Sequence, residues 1–158
     1  TVGLLFCSAE PNSRYQIEEV AKYLADKGIE SKEFAFTDTN DVTAVTQAAA
    51  DYADVIYIPT DNTAAANTEA IANVLIPAKV PAICGEEGIC SGCGVATLSI
   101  SYYDLGVTTG KMAAKILTGE TDISKMPIEY TSATKKYNAS MCDALGIKPL
   151  DGYTAIGE

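Results

Sequence analysis

Two neighbouring carboxylates, Glu86 and Glu87, stand between glycines in Gly85-Glu86-Glu87-Gly88. Paired acids do general acid–base work when their surroundings split their pKa values. In a loop they also point apart into water, or hold a ligand cation. Just beyond lies a CxxC, Cys90-Ser91-Gly92-Cys93, and Cys84 adds a third thiol, one short of a four-cysteine zinc site. A thioredoxin-like pair opens a helix directly after a strand. Here the glycines predict a loop running toward the next strand, so neither a metal nor a cofactor is expected. Residues 8–13 (Ser-Ala-Glu-Pro-Asn-Ser) precede a helical pattern whose first amides and dipole favour an anion. They lack the glycines of a phosphate loop, and Glu10 would repel phosphate while suiting a cation or a hydroxyl. Plain capping by Asn12 or Ser13 accounts for the loop equally well. Asp61 closes an apolar run and Asn62 opens a helix, the place of the acid in a phospho-accepting receiver domain. The acidic pair and the lysine that such a domain also needs are replaced by Cys7-Ser8 and Ser101-Tyr102.

Composition narrows the chemistry. The 158 residues contain no histidine, which removes the commonest general base and metal ligand. A formal charge of −10 argues against a nucleic-acid surface. Five cysteines do not make an even disulfide framework, and a chain of this length builds a core without staples. No apolar run approaches the roughly 18 residues of a bilayer span. Thr1 leads straight into a strand-like run, so no secretion or lipid-attachment segment is expected within these residues.

The elements that must position these residues alternate strand and helix. Val2–Cys7 is a continuous apolar run, as a strand buried on both faces requires. Ile17, Val20, Ala21 and Leu24 follow at helical spacing, with Gly28 placed to end that helix. Residues 30–36 read as an outer strand. A helix capped by Thr39 or Asn40 then presents Val42, Val45, Ala49 and Tyr52. Residues 54–59 form the third strand, followed by one Ala-rich helix carrying Ile71, Val74 and Leu75. Residues 80–84 and 95–100 are further strands. Asp104, Leu105, Met112 and Ile116 lie on a helix that Gly119 can close, and its Gly106 and Gly110 permit close backbone packing. Ile128 and Tyr130 suggest a short strand, and Tyr137, Met141 and Leu145 a last helix.

This pattern predicts an α/β fold of three layers with a doubly wound parallel sheet, flavodoxin-like in shape. Ligands of such sheets bind beyond the carboxyl ends of the strands, where strand order reverses. That rule gathers residues 8–13, 60–62, 85–88 and 101–103 on one edge before any family is considered.

At these same strand ends the chain resembles the ABC-transporter solute-binding family of tryptophan- and tyrosine-type binding proteins, and more broadly the type I periplasmic binding proteins. The matching stretches are VGLLFCSAEPNSRYQ, DVIYIPTDNTAAAN, PAICGEEG and ATLSISYYDLGVTTGKMAAKIL followed by MPIEY, in family order over nearly the whole chain. The resemblance implies the second of two lobes, residues 1–158 forming one α/β domain whose segment 120–158 packs on the first lobe or swaps. It implies an extracytoplasmic, lipoprotein-type component of an ABC importer, not an enzyme, with a permease and the first lobe as partners. It implies a ligand resembling an amino acid, aromatic in character, held by Ser8, Glu10, Asn12, Ser13, Asp61, Asn62, Glu86, Glu87, Ser101 and Tyr102. The family often has Asp where Ser101 stands, and it assigns no role to Cys90 or Cys93. In this reading Asp61 or Glu87 accepts from the ligand ammonium, the helix start after Ser8 takes its carboxylate, and Tyr102 stacks on its ring. The alternatives are a flavodoxin-like redox or signalling domain using the CxxC, and an interaction domain that forms a homodimer across its cleft face.

Overall fold

The computed structural model describes residues 1–157. Strand β1 (Val2–Cys7) is followed by α1 (Pro11–Asp26), β2 (Ser31–Phe36), α2 (Val42–Tyr52), β3 (Val55–Ile58), α3 (Asn62–Ala66), α4 (Thr68–Ala78), β4 (Ala82–Cys84), α5 (Glu87–Cys93), β5 (Ala96–Ser99), α6 (Tyr102–Leu117), β6 (Thr134–Tyr137), α7 (Ala139–Leu145) and β7 (Thr154–Ala155). The seven strands form one sheet of order β2-β1-β3-β4-β5-β6-β7. β1 to β5 are mutually parallel, as the alternating pattern requires; β6 runs antiparallel to β5. The α/β doubly wound expectation holds, with that antiparallel return as an addition.

Alternation along each strand sorts the core. Leu5 and Cys7 on β1, Ile56 and Ile58 on β3, and Ala82 and Cys84 on β4 face α2, α4, α5 and α7, building the larger apolar cluster. Leu4 and Phe6 face the other way and pack with Ile17 under α1. α1 covers only part of this second face, and Ile83 and Leu98 farther along the sheet remain 38% and 60% exposed.

Four local expectations change. The Ala-rich stretch is two helices, because Asn67 leaves helical geometry (φ −127°, ψ 22°) between α3 and α4. The cap of α2 is Asp41 rather than Thr39 or Asn40, and it makes no side-chain capping bond. Ile128 and Tyr130 are exposed outside regular structure, and the strand lies later, at β6. The fourth difference is α6: none of its residues is buried, although Met112 and Ile116 repeat at core spacing. Instead α6 folds against residues 123–128, with Lys115 paired to Glu129 at 3.6 Å, and this arm encloses an apolar groove of about 360 Å³. The chain rejoins the sheet at Thr134, so residues 134–155 contribute β6, α7 and β7 to the domain.

Candidate functional site

The four predicted loops, after β1, β3, β4 and β5, emerge on the carboxyl edge of the sheet. Strand order reverses between β1 and β3, and this crevice is closed from within by Glu10. One oxygen of its carboxylate accepts from the Asn62 amide and side chain, the other from the Thr63 amide and hydroxyl, all four bonds at 2.9 Å. The anion-favouring start of α3 is thereby filled by a carboxylate of the chain itself. Asn12 Nδ2 and Ser13 Oγ donate to the Thr60 carbonyl at 2.8 and 3.1 Å, adding to the same seam.

Burial resists ionisation of Glu10, but the amides of Asn62 and Thr63, and then their side chains, outweigh it and hold its carboxyl below the ordinary 4.5. A folded pKa below the unfolded one gives stability that is present above the unfolded value and lost as pH falls through the folded one. The urea midpoint is therefore expected to drop below about pH 4.5, and Glu10→Gln to flatten part of that drop; an equal slope in the variant would exclude this clamp.

The open space lies one strand farther along. A cavity of about 420 Å³ is lined by Thr60, Asp61, Asn62, Ala65, Glu86, Gly88 and Tyr102, a size suited to a small molecule. Its floor is made by two helix caps. Asp61 is 1% exposed, and its carboxylate accepts from the amides of Cys7 (2.7 Å) and Ala64 (2.8 Å). Both oxygens are committed to joining β1, β3 and α3, which leaves Asp61 a wall of the cavity rather than a free acceptor. Glu86 caps α5 through the amides of Gly88, at 2.8 Å, and Ile89. Its carboxylate is only half-buried and keeps acceptor capacity toward the cavity. Gly85 fixes where Glu86 begins: a Cβ there would meet the Thr60 nitrogen at 2.8 Å and the Pro59 carbonyl carbon at 2.9 Å. Tyr102 opens α6 at the rim, 56% exposed. Partial burial first, and then the Glu86 charge, push its phenol above the ordinary value. Among the described residues, no lysine or arginine lines the cavity.

Of the ten residues read from the sequence, Asp61, Asn62, Glu86 and Tyr102 line this cavity, and Glu10, Asn12 and Ser13 brace its wall. Three point to other tasks. Ser8 Oγ donates to the Phe36 carbonyl at 3.2 Å. Glu87 pairs with Lys136 at 2.7 Å. Ser101 caps α6 through the Asp104 amide at 3.1 Å. Two contributors escaped the sequence reading. Ala65 lines the cavity one turn beyond Asp61. Ser99 Oγ accepts from the Glu87 amide at 3.1 Å and so seats the start of α5. Its place within a predicted strand gave no sign of this bond.

The CxxC sits on helix α5, not in a loop: Glu86 supplies a cap that starts a helix despite Gly88 and Gly92. Cys90 and Cys93 are fully buried. An attacking redox thiol needs access to solvent, and in the folded chain both are shielded from it. Among the described residues no cluster of His, Cys, Asp or Glu is arranged to hold a metal ion.

The sequence model of the ABC transporter substrate-binding proteins matches residues 1–150. The chain belongs to this family. A tyrosine-binding protein of Clostridioides difficile (strain R20291) is 26% identical over 134 residues, 85% of this chain and 39% of the relative. Among solved structures, the ABC domain from Streptococcus pneumonia in complex with L-Trp superposes with a TM-score of 0.85 at 27% identity, covering 97% of this chain and 54% of that one. A ligand-free, open substrate-binding protein with adhesive properties from Clostridium difficile gives 0.80 at 28% identity, covering 98% and 53%. The chain thus spans about half the length of these structural relatives and less of the curated one. The family is a class of binding proteins rather than enzymes, typically working outside the cytoplasm.

Proposed function

We propose that this chain is the second lobe of a two-lobed, extracytoplasmic solute-binding protein that delivers an aromatic amino acid to an ABC import permease, without catalysis. The observation that carries the reading is the cavity between α3, α5 and α6, where acceptors meet an aromatic rim and no cation is present. Glu86 is the half-exposed carboxylate there, its oxygens capping α5 with lone pairs to spare, and Asn62 and Thr60 line the cavity with it. This set suits a ligand ammonium. Tyr102 offers a ring face for an aromatic side chain. The ligand carboxylate falls to the first lobe, because the starts of α3, α5 and α6 are taken by Glu10, Glu86 and Ser101. The named ligands of two relatives, tyrosine and L-Trp, support the aromatic class.

In this account the arm of α6 and residues 118–133 belongs against the first lobe. Its apolar residues Leu117, Ile128 and Tyr130 are 86%, 90% and 86% exposed, and a Cβ on Gly106 or Gly110 would meet nothing within 4 Å. Ile128→Asp is expected to change the stability of this chain alone by no more than about 0.5 kcal/mol. In the two-lobed protein it is expected to cost about 1.5–3 kcal/mol, the value of a buried apolar side chain. Urea unfolding of both forms checks this, and equal costs in the two would place the arm elsewhere.

The ligand class is tested by thermal shift of the two-lobed protein with each of the twenty amino acids. Tyrosine and tryptophan are expected to give the largest stabilisation, about 2.7 kcal/mol at a hundredfold excess over Kd. A flat response across the set would remove the amino-acid reading.

A further inference from the structure

The buried thiols have no part in ligand capture. Cys84 ends β4, and Cys90 and Cys93 lie three residues apart on α5, so both face the sheet. The three are 2%, 0% and 0% exposed. The Cys84 thiol neighbours both others, and Cys90 Cα and the Cys84 sulfur both crowd Gly94. It is also wedged against the end of α5: a Cβ on Gly94 would fall 2.3 Å from its sulfur. Cys93 also donates to the Ile89 carbonyl at 3.4 Å, while Cys7 and Cys142 turn elsewhere, to the Thr37 and Val95 carbonyls, each at 3.7 Å. Isolated buried cysteines serve as small apolar residues. Three thiols converging where one strand end meets one helix go beyond that use.

We infer that Cys84 is the hub of a disulfide site, pairing with Cys90 or Cys93 to join β4 covalently to α5 when the chain meets a disulfide oxidant. The exchange balances with a small disulfide of the glutathione class. One protein thiol loses its proton to solvent and attacks the oxidant, releasing one thiolate. The second thiol, likewise deprotonated, attacks the mixed disulfide and releases another. A protein dithiol and one small disulfide thus become a protein disulfide and two small thiols. Neighbouring thiols first, and then burial, hold the Cys84 thiol well above its ordinary pKa, so the folded protein reacts only through opening of α5. The seven-residue helix carries the Glu86 cap at its start, so the bond would pin the cavity rim to the sheet.

The test is incubation of the 158-residue chain with oxidised glutathione, followed by acid quench, thiol counting in denaturant and peptide mapping. The inference expects two of the five thiols to disappear, a mass lower by two hydrogens, and a Cys84 link to Cys90 or Cys93. Sub-denaturing urea should speed the reaction, and Cys84→Ser should slow loss of thiols by about tenfold or more. Five surviving thiols, lasting glutathione adducts, a Cys90–Cys93 link, or any pair using Cys7 or Cys142 would overturn it. The mapping on the unsubstituted chain decides the matter even if the serine variant does not fold.

Discussion

Asp61→Ala is expected to destabilise the domain by about 2–5 kcal/mol, a large part of the 5–15 kcal/mol typical of a folded domain. The carboxylate is 1% exposed and accepts from two buried amides, Cys7 at the end of β1 and Ala64 in the first turn of α3. Alanine leaves both donors without partners, each at about 1–3 kcal/mol. Asparagine does not rescue the site, because its Nδ2 presents a donor to one of those donors. Thermal unfolding reads the loss directly, at about 2–4 °C per kcal/mol for this chain length. A shift equivalent to less than about 1 kcal/mol would mean that water replaces the carboxylate, and Asp61 would then be no keystone.

Glu86→Gln is expected to act on binding instead. Glutamine keeps the shape, and its carbonyl can still accept from the first turn of α5, so stability should fall by no more than about 1 kcal/mol. A ligand ammonium would lose the one charged acceptor of the cavity lining that is not fully buried. Hydrogen bonds to charged groups contribute about 1.5–3 kcal/mol, which converts to roughly 10- to 150-fold weaker affinity in the proposed two-lobed protein. The same substitution removes the second cause of the raised Tyr102 phenol. Its alkaline absorbance titration should move toward lower pH, which shows the two groups to be neighbours whether or not ligand is present. Unchanged affinity for the Gln variant would detach Glu86 from recognition.

Much of this site was legible in the residues. Alternating strand and helix patterns dictate parallel strands, and parallel strands place every following loop on one edge. That alone put Glu10, Asp61, Glu86 and Tyr102 together. The pattern could not show which carboxylates were already committed. Asp61, Glu86 and Glu87 all read as acids at strand ends, yet one is buried on amides, one caps α5 half-exposed to the cavity and one pairs with Lys136. Nor could it show that Glu10 fills the reversal crevice and moves the cavity to β3 and β4, since that depends on a contact across 52 residues of chain. α5 was hidden because seven residues with two glycines carry little helical periodicity, and its cap is a glutamate rather than a Ser, Thr, Asp or Asn. α6 shows a different limit. Periodicity reveals that a helix has an apolar face, but not whether the surface that covers it belongs to the same domain.

The most direct measurement is calorimetric titration of the two-lobed protein with L-tryptophan or L-tyrosine and, separately, with the N-acetyl derivative of each. Acetylation keeps the ring and the carboxylate and removes the ammonium charge that the proposed site assigns to Glu86. Saturable binding of the free amino acid, with loss of about tenfold or more on acetylation, is the predicted result. N-acetyl derivatives binding as tightly as the free amino acids would contradict the account, since the acceptor-lined cavity of this chain would then contribute nothing to recognition.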